Sequence, residues 1–168
     1  MGSTTKILLA IEDSEASMKA VAYVAEMVRG REAIRICLFH ALPPIPARLL
    51  EFGGTEDPQK EQTLGTELKT AQAEWIEKAK AAVQPAITRA QTVLQDHGIS
   101  QDQISTHFSQ TIHKLDIVQE ILNAAKQVHC GTIVVGRHRL PWVQDLFYHH
   151  TGEELVEKAQ EFSVWVVG

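Results

Sequence analysis

Lys6-Ile7-Leu8-Leu9-Ala10-Ile11, followed at once by Glu12-Asp13-Ser14-Glu15, is the stretch that decides the fold. The apolar run is short, rich in strand formers and does not alternate with polar residues, so it reads as a strand buried on both faces. Ser14 then suits a helix N-cap, its oxygen accepting a backbone N–H of the first turn, and Glu15 puts negative charge where the helix dipole favours it. Met18, Val21, Ala25 and Val28 recur at helical spacing, and Gly30 supplies the stop. A second apolar run, Ile34 to Phe39, begins within a few residues. Strand, helix and strand with short connections make a parallel pair joined by a right-handed crossover.

Outward from this unit the alternation continues after one interruption. Residues 42–64 hold four of the six prolines (Pro43, Pro44, Pro46, Pro58) and the pair Gly53-Gly54. That composition predicts a loop or lid over about 45–64. From about Gly65 to His97 helical spacing returns through Ile76, Ala79, Val83, Ile87, Ala90 and Leu94 and ends at Gly98. Pro85 lies inside and is expected to kink or split the helix. Ile104, Thr106 and Phe108 alternate with polar neighbours, as in a half-exposed edge strand. Asp116 starts the next helix, with Ile117, Ile121, Ala125 and Val128 on one face, and Gly131 ends it. Thr132-Ile133-Val134-Val135-Gly136 is the strongest core strand. An irregular segment, 137–150, leads to a capping box at Thr151 and Glu154, with Leu155, Val156 and Ala159 behind it. Ser163-Val164-Trp165-Val166-Val167 is the last strand. Five strands alternating with helices predict one doubly wound α/β domain, layered α/β/α, over all 168 residues.

Composition narrows the function. Sixteen Lys+Arg against 21 Asp+Glu give a formal charge of −5, which argues against nucleic acid and anionic membrane as partners. No apolar run approaches the ~20 residues of a membrane span, and no signal peptide is recognised, so the cytoplasm is the expected location. Cys37 and Cys130 both sit beside apolar residues and read as buried free thiols rather than a disulfide framework.

Open parallel sheets bind ligands beyond the carboxyl ends of their strands, where the strand order reverses. Attention therefore falls on Glu12 to Ser14, Ala41 to Pro46 and Gly136 to Thr151. No G-x-G-x-x-G follows a strand. Gly65-Thr66-Glu67-Leu68-Lys69-Thr70 lacks the glycine before lysine that a phosphate-cradling loop needs, and no G-x-S-x-G elbow exists. His138, His149 and His150 cluster without metal-ligand spacing, so no metal is expected there; a pH-responsive loop is the sharper alternative. Trp142, Phe147 and Tyr148 read as core packing in preference to a ligand pocket. Glu12 and Asp13 read as helix-dipole and turn residues, or as a ribose or magnesium contact. His40 reads as a packed or hydrogen-bonded histidine at the pocket wall. Trp165 suits either a dimer contact or the core.

The run Ile7-Leu8-Leu9-Ala10-Ile11-Glu12-Asp13-Ser14-Glu15-Ala16-Ser17 resembles the first strand and turn of the universal stress protein family. Leu38-Phe39-His40-Ala41-Leu42-Pro43-Pro44 resembles the second strand, and Thr132 to Gly136 the fourth; only 45–64 stands outside the resemblance. It implies strand order 3-2-1-4-5, a switch point between strands one and four, and a homodimer through the last strand, 163–167. Many members bind ATP or AMP with a G-x2-G-x9-G-[S/T] loop after strand four. Its glycines let backbone N–H groups approach phosphate at a helix N-terminus. Laid on this chain the four positions are Gly136, Arg139, His149 and His150, followed by Thr151, and Gly136 alone matches. The family's base- or ribose-contacting acid becomes Glu12, one methylene longer, beside Asp13. The usual valine after the strand-two histidine becomes Ala41.

Side chains at former glycine positions occupy the space phosphate needs, and a left-handed backbone costs Arg or His roughly 1–2 kcal/mol. Weak or absent ATP binding is therefore expected. Against this, Arg137, Arg139 and the protonatable His138, His149 and His150 have the chemistry to meet phosphate themselves. The resemblance implies a cytoplasmic binding or regulatory module of the stress response, with ATP or AMP the cofactor it suggests and no catalytic residue recognised. One alternative is an ATP- or AMP-binding protein with slow hydrolysis or phosphotransfer; a second is a dimeric structural protein.

Overall fold

The chain alternates β1 (Thr5–Ala10), α1 (Glu15–Val28), β2 (Ile34–His40), α2 (Pro58–Asp96), β3 (Ile104–Phe108), α3 (Ile117–Gln127), β4 (Thr132–Gly136), α4 (Thr151–Lys158) and β5 (Ser163–Val167). The computed structural model describes residues 5–51, 53–109, 116–137 and 151–168. The strands form one parallel sheet in the order β3-β2-β1-β4-β5. This is the doubly wound α/β architecture, with β1 in the middle and its Ile7, Leu8 and Leu9 buried on both faces.

Side chains alternate across the sheet with the period of two that a strand imposes. Ile7 and Leu9 of β1, Ile36 and Leu38 of β2 and Val134 of β4 share one core with α1 and α2. Leu8, Cys37, Phe39, Ile133 and Val135 share the other with α3 and α4. The two outer strands are only partly covered: β3 exposes Ser105 and Thr106, and in β5 Val164 to Val167 are all half-buried.

Local chemistry sets the element ends. Ser14 caps α1, its side chain accepting from Ser17 N at 3.1 Å, and Gly30 takes the left-handed φ of 74° that lets the chain leave. Asp116 caps α3 by accepting from Val118 N at 3.1 Å. Four boundaries differ from expectation. The irregular segment is shorter than 45–64, because α2 begins at Pro58. Asp57 is its N-cap, accepting from Gln59 N at 3.0 Å, and a proline in the first turn loses only an N–H that has no intrahelical partner. Pro58 is thus a starting signal and not a breaker. Pro85 neither splits nor ends α2; Val83, Ala86 and Ile87 are buried around it and hold that turn against the core. The residue that turns the chain out of α3 is His129, at φ 53°, and not Gly131. Finally, Thr151 is already helical, one position inside the start that a capping residue would occupy.

Candidate functional site

The carboxyl ends of β1, β2 and β4 and the first turns of α1, α3 and α4 line a half-open cavity of about 80 Å³. Ala10, Ile11 and Glu12 come from the end of β1, Phe39, His40 and Ala41 from β2, and Val135 and Gly136 from β4. Ser17, Ile117, Ile121 and Thr151 close it from the helices. It lies between β1 and β4, where strand order reverses, as the topology rule requires.

Glu12 is placed by a tied turn. Its N–H donates to Ser17 Oγ at 3.0 Å, its carbonyl accepts from Ser14 N at 2.9 Å, and Ser14 Oγ lies 3.4 Å from its Oε1. The hydroxyls that cap α1 therefore also fix a carboxylate at the cavity rim. His40 is placed as firmly. Its Nδ1 is 2.8 Å from Ile11 O, and the next rung, Ile11 N to Phe39 O at 2.8 Å, continues the β1–β2 ladder past its last paired residue. The His40 carbonyl accepts from Ser109 N at 3.1 Å, and Ser109 Oγ accepts from Leu42 N at 2.7 Å. Ala41 is carried between these anchors into the lining.

Gly136 is required by packing alone. A Cβ there would stand 2.5 Å from Ala16 O and 2.6 Å from Ala16 C, inside the backbone of the first turn of α1. The close approach of α1 to the end of β4 demands glycine whether or not a phosphate ever sits nearby.

Of the positions singled out from sequence, Glu12, His40, Ala41, Gly136 and Thr151 meet at this cavity. Asp13 does not line it. Its carboxylate is exposed and 3.4 Å from the Arg89 guanidinium of α2. Arg137 does not line it either. Its side chain lies along Gly168, where a Cβ would be 3.3 Å from Arg137 Cδ, and its N–H continues the sheet by donating to Val167 O. His138, Arg139, His149 and His150, with Trp142, Phe147 and Tyr148, lie outside the described residues. Sequence reasoning missed Ala10, Ile11, Ser17, Phe39, Ile117, Ile121 and Val135 as lining. Ser17 had a signal, since a serine three residues after an N-cap serine faces back toward it; the others look like ordinary core.

The described lining is apolar apart from Glu12, Ser17, His40 and Thr151, and contains no Lys or Arg. Among the described residues no group of three or more His, Cys, Asp or Glu is placed to hold a metal. Both cysteines are buried and free. Burial raises the Cys37 pKa and pushes that of Cys130 up to about 12, so neither is a thiolate nucleophile near neutrality. The arrangement offers an apolar floor with few polar groups around it, the chemistry of a site for one end of a small ligand.

A doubly wound sheet with a crevice at its switch point is the architecture in which α/β domains place their ligands. The family model described as the universal stress protein family matches residues 3–168, and the chain belongs to that family. Family membership makes it a stress-response module. Solved structures show the same fold at low identity. UspA from Lactobacillus plantarum is 16% identical with a TM-score of 0.64, covering 100% of both chains. A universal stress protein from Archaeoglobus fulgidus is 17% identical with a TM-score of 0.56, covering 98% of this chain and 93% of that one. A universal stress protein solved in complex with cAMP is 12% identical with a TM-score of 0.57, over 98% and 96% of the two chains. No curated protein sequence matches the chain.

Proposed function

We propose that this chain is a cytoplasmic binding and regulatory module of the stress response whose switch-point cleft holds a nucleoside-like ligand and gains nothing from a triphosphate. The observation that carries this reading is the state of the phosphate loop. Of its four positions Gly136 alone is glycine, and its packing against Ala16 accounts for that one without a phosphate. The described lining contains no Lys or Arg to meet a phosphate. The cleft is half open, and its volume of about 80 Å³ is well under the ~300 Å³ at which small-molecule pockets usually begin. It therefore suits one end of a ligand. The cAMP complex of a structural neighbour supports a nucleotide-type ligand in this fold and is the ground for the second reading, an ATP- or AMP-binding protein.

The signalling step in this reading is ligand occupancy altering a partner surface. We assign homodimerisation to β5, whose outer edge has no described neighbour and whose Trp165 meets the half-exposed Tyr23 of α1 edge to face at 6.2 Å. No described helix is long and apolar enough to cross a membrane. The test is to denature freshly purified protein and identify the small molecules released. The expected result is no stoichiometric ATP; one ATP per chain would replace this reading by the second.

A further inference from the structure

We propose that residues 42–49 form a strut that ties the order of the projecting first half of α2 to the state of the cleft, with Gln72 as its joint. The inference rests on the reading above, that the cleft holds a nucleoside-like ligand, and it names the surface that occupancy alters. Helix α2 runs past the carboxyl edge of the sheet. Lys80 Nζ stands over the ring of Phe108, the last residue of β3, at 5.7 Å. Arg89 reaches Asp13, just beyond β1, at 3.4 Å. Residues 58–79 therefore project about 33 Å beyond that edge, at a rise of 1.5 Å per residue. No residue of this arm is fully buried, since burial begins at Val83. It also contains Gly65 and three threonines, Thr63, Thr66 and Thr70, which favour helix weakly. Helices in proteins draw most of their stability from tertiary packing, so the arm is the part of α2 whose order shifts most easily.

The strut runs from the cavity to the arm. It follows directly on Ala41, a lining residue, and its first N–H, of Leu42, donates to Ser109 Oγ at 2.7 Å. Pro43, Pro44 and Pro46 then fix φ at three of the next four positions, and each restrains the residue before it to extended backbone. Pro46 has φ −58° and ψ 141°, and Ile45 beside it is buried. A 3-10 turn, Ala47–Leu49, follows and packs on α2. A segment this stiff carries a displacement instead of absorbing it. Its far end is joined by one side chain. Among the described residues, the Gln72 amide donating to the Leu49 carbonyl is the hydrogen bond that ties 58–79 to anything beyond the helix and its cap. The covalent route is slack by comparison, because Gly53 and Gly54 stand in open space before the helix start. A ligand seated against Ala41 restrains the strut at its root and holds Leu49 where Gln72 reaches it; an empty cleft removes that restraint. The ordered and frayed arm are then two states that the cleft biases.

Hydrogen exchange with and without saturating adenosine, on wild type, Gln72→Glu and Gln72→Lys, tests the joint, with calorimetry reporting binding in each protein. An ionised Glu has the length of Gln and no hydrogen to donate, whereas Lys keeps a donor. In wild type adenosine is expected to slow exchange over 58–76 about fivefold, the low end of coupling between sites. In Gln72→Glu the same stretch should exchange quickly and at one rate with or without adenosine, although adenosine still binds. Gln72→Lys should keep part of the protection. Residues 83–94 should stay protected throughout, which separates a loosened arm from a lost fold. Adenosine binding that leaves 58–76 unchanged in wild type overturns this inference alone, and so does protection that survives in Gln72→Glu or vanishes equally in Gln72→Lys. Failure of wild type to bind adenosine overturns it together with the proposed function.

Discussion

His129 closes α3 in a left-handed conformation, φ 53°, with its N–H on Lys126 O at 3.2 Å and the next N–H, of Cys130, on Ala125 O at 2.9 Å. That hydrogen-bond pattern normally has glycine at its left-handed residue, and the Cβ of His129 adds roughly 1–2 kcal/mol of strain. His129→Gly is expected to stabilise the fold by about 1 kcal/mol, part of the gain going to unfolded-state entropy; a lower urea midpoint would refute the assignment. Gly136→Ala should do the opposite. Its methyl meets backbone atoms of α1 at 2.5 Å, which cannot swing aside, so a loss of about 2–3 kcal/mol is expected in the same assay. Cys130 adds a pH dependence. Burial pushes its folded pKa up to about 12, above the ordinary thiol value of 9.0, so the fold favours the neutral thiol. That contribution is whole below pH 9 and fades as pH rises toward 12. Cys130→Ala should flatten the loss of stability across that window, and equal slopes in the two proteins would contradict it.

At the scale of the element, α2 is the departure from expectation. Its buried residues start at Val83 although the helix starts at Pro58, so its first half is held by local bonds: the Asp57 cap, and Thr63, Thr66 and Thr70 hydroxyls donating to carbonyls one turn back, each at 3.0 Å. Gln72 also reaches the Leu49 carbonyl of the preceding segment. This explains why the helix start was illegible. Apolar periodicity reports burial, and the first turns of α2 bury nothing, whereas the five strands were readable because each is a short apolar run bounded by turn residues. Asp57→Ala should therefore cost helicity, by ~1 kcal/mol at the cap, with little change in Tm. Hydrogen exchange over 58–76 should quicken while 83–94 stays protected, and uniform quickening would show that the helix melts as one unit. Pro85 is exposed inside the same helix; Pro85→Ala restores an N–H and should raise stability by about 1–2 kcal/mol.

For the whole molecule, the position of the cavity was more legible in the sequence than the side chains that line it. Topology alone sends a ligand to the β1/β4 switch point, and the alternation of elements made that topology readable. Which side chains turn inward depends on contacts distant in sequence. His40 is fixed by Ile11, 29 residues away, Asp13 is drawn outward by Arg89, 76 residues away, and Arg137 follows Gly168 at the end of β5. Motif spacing carries none of these. The half-buried β5 edge predicts a further property of the assembly: Trp165→Glu should shift a dimer to monomer in sedimentation, and an unchanged dimer would move the interface elsewhere. The central claim, that the cleft holds a nucleoside end without a phosphate cradle, is tested most directly by titrating the protein calorimetrically with ATP in Mg²⁺ and with adenosine. The account predicts that ATP binds no tighter than adenosine; stoichiometric ATP binding at micromolar affinity, lost on removing the phosphates, would contradict it.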